Sequence, residues 1–423
     1  MKNKDYVSTG ERTVTGRLPN GLKVIVVPKL DYSKVYAFFA TNYGGADRRF
    51  KLGGKWTDTP SGVAHFLEHK MFDQKDGTNA LTTLSANGAS PNAFTSSDIT
   101  AYHFECTDKF EDNLRILLNF VTSPYFTEES VSKEQGIIGQ EIRMMEDNPD
   151  FALYYDLMKA LLKENPIRDP VAGTVDSISH ITPEILYGCH SVFYNPSNMV
   201  LCVAGDVDPE SVFKIAEEIV IGKAGEEPER DYGEKESLTP EKAETERKME
   251  VGMPMFLIGA KAEAPDKGAE YLKLELTAEL ALEILAGRSS PFYAELYGQG
   301  RINANFSAEF EISAGVSYTA IGGESRDPLI VRERLQKEIA LLAIKGPDEA
   351  MFSRTKKAAA GRKLRELNSF DSICYNTARG YFRGYDYFET SQVLSEITPN
   401  DVKEFLSKYL APERLALSVI NPK

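Results

Sequence analysis

The strongest constraint on the fold is an internal repeat. Ile181-Thr182-Pro183 recurs as Ile397-Thr398-Pro399, and the same offset carries Pro196 onto Pro412, Leu201 onto Leu417 and Val203 onto Val419. Thr before Pro is a helix start, the next proline marks a loop, and the apolar run after it reads as a strand. Each half therefore ends in helix, loop and strand. A repeat of about half the chain means a duplicated domain rather than a solenoid. At 423 residues the chain is also too long for one ordinary core, and two or more domains of about 200 residues are expected.

Residues 223–250, between the halves, are dense in Glu, Lys and Arg, include Pro228 and Pro240, and hold few apolar side chains. They read as a linker that runs into a first strand of the second half near Glu246. The partition expected is residues 1–225, a charged linker at 226–245, and residues 246–423.

The first half has its own markers. Residues 12–18 and 22–27 read as a hairpin about Asn20-Gly21, and 35–42 as a third strand. A polar insert at 50–60 leads to a helix over 61–72, with Asp58, Thr59 and Ser61 as cap residues. A second helix spans 78–87. In the run 92–106 the second half reads as a strand, either an ordinary sheet strand or an edge strand that pairs with an extended peptide. Helices follow over 110–122 and 127–147, the latter ending at Asn148-Pro149.

Within the helix over 61–72 stands His65-Phe66-Leu67-Glu68-His69, an H-x-x-E-H motif. His65 and His69 are one turn apart, so both imidazoles reach one ion, while Glu68 contacts a water on that ion without ligating. The competing reading is two core histidines with a surface Glu between them. The chain has only five histidines, and two of them at metal spacing beside an acid favour the metal. The helix over 127–147 carries Glu134, Glu141 and Glu146, with Glu134 and Glu141 on one face because seven residues make nearly two turns. Their neighbours Ile137, Ile138 and Ile142 suggest burial, where a carboxylate wants a cation or hydrogen-bond partners. His103, His180 and His190 lack helix spacing to the motif and read as structural. The second-half helix over 270–285 takes the place of the motif helix and has no histidine, so that half cannot hold the same site.

A formal charge of -14 disfavours nucleic acid and anionic membranes as partners and is compatible with basic or neutral peptides. Cys106, Cys189, Cys202 and Cys374 form no C-x-x-C pair and no disulfide framework, which fits a reducing compartment. The N-terminal stretch has no apolar leader core and no segment approaches a membrane span. A cytoplasmic protein is expected.

The motif, Glu141 downstream, the Asn92-Ala93-Phe94-Thr95 run and the metal-free second half together resemble the pitrilysin family of inverted-motif zinc peptidases. That family includes insulin-degrading enzyme and the mitochondrial processing peptidases. The runs His65 to Phe72 and Glu134 to Ile142 are most similar to a zinc-bearing bacterial subgroup associated with elongation factor P modification. The resemblance covers the whole chain. It implies Zn2+ held by His65, His69 and Glu141, with Glu68 as general base and Glu134 orienting a ligand histidine. It implies that Asn92 and Ala93 hold substrate main chain.

The fold expected is α+β: two homologous halves, each a mostly antiparallel sheet with helices packed on one face, enclosing a cavity. The function expected is zinc-dependent endopeptidase, hydrolysing peptides or unfolded segments in that cavity. Two other classes stand beside it: a non-proteolytic peptide-binding or scaffold subunit, and a metal-dependent hydrolase of non-peptide substrates. Peptidases of this family carry an Arg and a Tyr in the second half, in a run like L-R-x-x-x-G-L-x-Y. The corresponding run here, Leu296 to Ala304, places Tyr297 and Ala304 at those positions, with Arg301 or Arg379-Gly380-Tyr381 as substitutes. The resemblance therefore implies a partner, a zinc-less paralogous subunit supplying the Arg/Tyr pair, with a homodimer as the other arrangement.

Overall fold

The computed structural model describes residues 1–423. The first half holds strands β1 (Lys2–Tyr6), β2 (Glu11–Arg17), β3 (Lys23–Pro28), β4 (Val35–Thr41), β5 (Arg49–Leu52), β6 (Lys55–Asp58), β7 (Ser90–Thr95), β8 (Thr100–Cys106) and β9 (Met199–Gly205). The linker holds β10 (Glu229–Arg230), and β11 (Glu244–Met249), β12 (Met255–Glu263), β13 (Ser307–Ser313), β14 (Val316–Glu324) and β15 (Leu415–Pro422) follow. The helices are α1 (Val63–Lys70), α2 (Ala80–Ala86), α3 (Phe110–Thr122), α4 (Glu128–Glu146), α5 (Pro149–Leu161), α6 (Val175–Ser179), α7 (Pro183–Phe193), α8 (Pro209–Ile219), α9 (Ala269–Ala286), α10 (Pro291–Gly298), α11 (Pro328–Lys345), α12 (Glu349–Glu366), α13 (Phe370–Arg383), α14 (Thr390–Glu396) and α15 (Pro399–Tyr409).

The repeat holds over five strands of each sheet, β3-β9-β4-β8-β7 matching β11-β15-β12-β14-β13, with β1 and β2 added to the first. The larger sheet runs β1-β2-β3-β9-β4-β8-β7, and the second runs β11-β15-β12-β14-β13. Leu201 in β9 lies beside Val24 of the parallel β3 and Phe39 of the antiparallel β4. Its repeat mate Leu417 in β15 lies beside Glu244 of the parallel β11 and Ile258 of the antiparallel β12. Thr182 and Thr398 cap α7 and α15 through their side chains, and Pro196 and Pro412 each open a short 3-10 turn before the returning strand.

Two compact units interleave the sequence. The first comprises Met1–Ile142, Pro170–Tyr232 and Leu364–Glu389; the second comprises Arg143–Asp169, Gly233–Lys363 and Thr390–Lys423. Each sheet thus gains one helix from the other half of the sequence. In the first unit α13 places Ile373, Cys374 and Ala378 in a cluster with Ile25, Phe38 and Cys202, on the sheet face opposite α1. In the second unit α5 packs Leu153 with Ile420 and Leu257. Covering both faces explains why β4 and β9 are buried at every position.

The charged linker is fastened at both ends. β10 adds to the β5–β6 hairpin, so the polar insert is itself a small sheet. Arg230 Nε lies 3.0 Å from buried Asp47, which also accepts from Tyr232. Glu236 accepts three consecutive backbone N–H groups, from Lys163, Glu164 and Asn165, and its other partner is buried Lys261 at 2.8 Å. These partners are what a run of charges in sequence conceals.

One local expectation needs correction, and one choice left open by the sequence is decided. α1 is capped by Gly62, with φ 98° and no side-chain cap, rather than by Asp58, Thr59 or Ser61. A Cβ at Gly62 would sit 2.5 Å from the Ala172 carbonyl, so close backbone approach dictates glycine here. In the run 92–106, the strand read from sequence, β8, is interior between β4 and β7. The edge strand is β7, which carries Asn92 and Ala93.

Candidate metal centre

α1 is anchored by one side. Val63, Ala64, Phe66 and Leu67 belong to the core beneath the helix. His65 and His69 are left half-buried on the other face, their rings 4.6 Å apart. α4 is anchored the same way by buried Val131, Ile138 and Ile142, which turns Glu134 and Glu141 towards α1.

Glu141 completes a three-donor cluster. Its Oε1 is 3.7 Å from His65 Nε2 and its Oε2 is 3.7 Å from His69 Nε2. The three residues each offer an atom within 4.8 Å of the others. These separations are too long for hydrogen bonds, and one ion at about 2.0–2.2 Å from each donor spans them. Two imidazole nitrogens and a carboxylate oxygen suit zinc with one position left open. The buried Nδ1 of His65 has no hydrogen-bond partner.

Glu134, two turns before Glu141, lies 3.1 Å from His69 Nδ1 through Oε1. Nδ1–H donates to that carboxylate, so the lone pair of Nε2 faces Glu141. Glu68 is 7 % exposed, and its Oε2 accepts a 2.7 Å hydrogen bond from Thr95 on β7. Burial pushes the Glu68 carboxyl above its ordinary range, against the pull of Thr95 and His69. Burial, with His69 alongside, pushes His65 down to about 4, which keeps it in the neutral form that ligates metals. Burial also works against charge on His69, but the carboxylates of Glu134, Glu68 and Glu141 outweigh it and hold its pKa above the ordinary value.

A cavity of about 640 Å³ opens beside the cluster. Glu68, His69, Glu134, Ile137, Asn92 and Ala93 border it, so the structure brings two residues of the motif and the two β7 residues to one space. The other candidate ligands stay outside. His103 Nδ1 is hydrogen-bonded to the Tyr36 hydroxyl, His190 Nε2–H donates to the Val121 carbonyl, and His180 is the exposed C-cap of α6. Glu146 is the last residue of α4 and is not part of the cluster. Two contributors were not singled out from sequence. Thr95 stood in the quoted Asn92 run, and Lys70 directly follows His69, but neither residue type announces a role without its partner.

In the second unit, Tyr297 is 52 % exposed and stacks on Tyr293 with ring centroids 5.5 Å apart. Arg301 pairs with Asp327. In the first unit, the Tyr381 hydroxyl accepts from Arg17. No helix is long and apolar enough to cross a membrane.

A duplicated α+β chain with an H-x-x-E-H helix facing a glutamate from a second helix defines the inverted-motif class. Residues 53–175 match the family model described as insulinase (peptidase family M16), and residues 180–359 match the one described as peptidase M16 inactive domain. The chain is 40 % identical over 435 residues to a Bacillus subtilis protein named uncharacterized zinc protease YmfH, covering all of both chains. It is 26 % identical to zinc protease PqqE of Helicobacter pylori, over 77 % of this chain and 72 % of that one. The crystal structure of a putative M16-like peptidase from Alicyclobacillus acidocaldarius superposes with a TM-score of 0.94 at 35 % identity, covering 98 % of this chain and 99 % of that one. The chain belongs to peptidase family M16.

Proposed function

We propose that this chain is a zinc-dependent endopeptidase that hydrolyses peptides or unfolded segments, and that it is the zinc-bearing subunit of a heterodimer. The carrying observation is the convergence of His65, His69 and Glu141 within 4.8 Å, with Glu68 buried beside them. His65 Nε2, His69 Nε2 and a Glu141 oxygen would hold the ion. Zinc, when bound, supplies Lewis-acid chemistry, polarising the scissile carbonyl and acidifying water to a pKa of about 7.

The remaining work falls to the chain. Thr95 occupies Glu68 Oε2, which leaves Oε1 to take a proton from the attacking water and return it to the leaving amine. Burial raises the Glu68 pKa above the ordinary carboxylate value, which makes it a stronger base for that exchange. The bond between Glu134 and His69 Nδ1 holds the second imidazole in its ligating orientation. β7 is a sheet edge, so an extended peptide adds to it as a further strand at Asn92 and Ala93, beside the cluster. The four cysteines are free and buried, which supports a reducing cytoplasmic setting.

Zinc content of the purified chain, with hydrolysis of a fluorogenic peptide library measured with and without chelator, tests this reading. One zinc per chain and chelator-sensitive cleavage are expected; a chain without zinc that cleaves nothing would refute it. A second reading, a non-proteolytic peptide-binding or scaffold subunit, is favoured by one observation. Tyr297 and Ala304 stand where the family resemblance places Arg and Tyr. It predicts peptide binding with no cleavage under any subunit combination.

A further inference from the structure

We propose that Lys70 is a positioning residue for the metal centre: its ammonium attracts Glu134 Oε2 as an ion pair, which favours the orientation that keeps Oε1 on His69 Nδ1. The proposal rests on the zinc reading above and adds a residue that the reading does not use. Lys70 is the residue after His69, near the end of α1, and its side chain is 1 % exposed. A buried ammonium is costly unless paired. Its Nζ pairs with Asp73, in the turn that follows α1, and lies 3.8 Å from Glu134 Oε2.

The result is a linear relay from Asp73 through Lys70 and Glu134 to His69. Glu134 stands between two cationic or polar donors on adjacent residues of one helix, with one oxygen turned to each. Oε1 is fixed by its hydrogen bond, and the ammonium at ion-pair distance attracts Oε2 without hydrogen-bonding it, which biases the carboxylate against turning Oε1 away from His69. Asp73 fixes the lysine in turn, and as the half-exposed member it links the buried relay to the surface.

The test measures zinc affinity of the full chain by competition with a chelating indicator, for wild type, Lys70→Met, Glu134→Gln and the double variant. Lys70→Met is expected to weaken zinc by about tenfold while the fold stays intact by circular dichroism. The double variant is expected to bind within about twofold of Glu134→Gln, because both substitutions act through the same bond to His69. In the metal-free protein with 15N-labelled histidine, at a pH high enough that the imidazole is neutral, the His69 proton is expected on Nδ1 in wild type and distributed over both nitrogens in Lys70→Met. If Lys70→Met does not fold, Lys70→Arg keeps the cation and is expected to bind zinc within about threefold of wild type. Folded Lys70→Met with wild-type affinity and tautomer overturns the proposal, as do losses that add in the double variant or a folded Lys70→Arg that loses tenfold. A wild-type chain that takes up no zinc overturns the metal reading itself, and this proposal with it.

Discussion

The Thr95 hydroxyl sits 2.7 Å from Glu68 Oε2, so the sheet-edge strand β7 directly holds the buried carboxylate of the motif helix. The strand proposed to receive a peptide is also the one that holds the proposed base. Removing one hydrogen bond to a charged group costs about 1.5–3 kcal/mol. Thr95→Val keeps the shape and strand preference of threonine, and is expected to lower kcat about tenfold or more with KM little changed. Thr95→Ser is expected to restore most of it. Steady-state kinetics that show an unchanged kcat in Thr95→Val would remove this role.

Glu68→Gln is expected to retain zinc and to lose hydrolysis by about 10²–10⁴-fold. Glu68 stands beside the three-donor cluster and is not a member of it. Metal analysis of the purified variant decides the point, since a zinc-free Glu68→Gln protein would make Glu68 a ligand.

Glu141→Gln replaces a charged oxygen donor with a neutral amide at the only carboxylate placed between both imidazoles. Zinc should then be stripped by dialysis that leaves wild type loaded. Full occupancy after dialysis would transfer the ligand role to Glu134, the next carboxylate on the same face.

Stability should depend on pH through His190. Burial pushes its pKa down to about 4, against an ordinary value of about 6.5, despite the bond to Val121. The unfolded chain therefore binds more protons between those values. The neutral imidazole favours the fold above pH 6.5, and that contribution is lost as pH falls towards 4, by up to about 3 kcal/mol. Denaturant titrations at pH 7 and pH 4.5 should show a smaller drop for His190→Gln, which keeps a donor for Val121 and does not titrate. An equal drop in both proteins would rule out His190 as the source.

The isolated chain should bind zinc and cleave peptides weakly. Tyr297 lies open on α10 and Arg301 is paired with Asp327, so neither stands in for the Arg/Tyr pair that the family resemblance leads one to expect. Misplaced substrate geometry costs on the order of 10²-fold in rate. Adding a zinc-less paralogous subunit should restore activity. Robust cleavage by the pure chain, unaffected by Tyr297→Ala and by the added subunit, would defeat this prediction.

Much of the plan could be read along the chain because it depends on local spacing. The H-x-x-E-H interval, the seven-residue interval from Glu134 to Glu141, and the Thr-Pro helix starts at Thr182 and Thr398 are properties of one helix or one cap. The repeat was visible for the same reason, since the same local signals recur at one offset. Relations between distant segments were not legible. The edge position of β7 follows from β8 pairing with β4, and pairing partners leave no local mark. Gly62 was passed over as a cap because its cause, the Ala172 carbonyl, lies in another segment.

The linear order of residues thus carried the helix faces, the duplication and the donor types, because backbone periodicity alone places side chains within one element. Folding settled which faces meet. It set Glu141 between His65 and His69, put Lys70 behind Glu134, laid α13 and α5 across the sheets of the opposite halves, and bound the charged linker to Asp47 and Lys261. Those choices come from burying apolar surface while giving buried charges such as Lys70, Lys261 and Asp47 a partner, a condition on the whole chain that no short stretch contains.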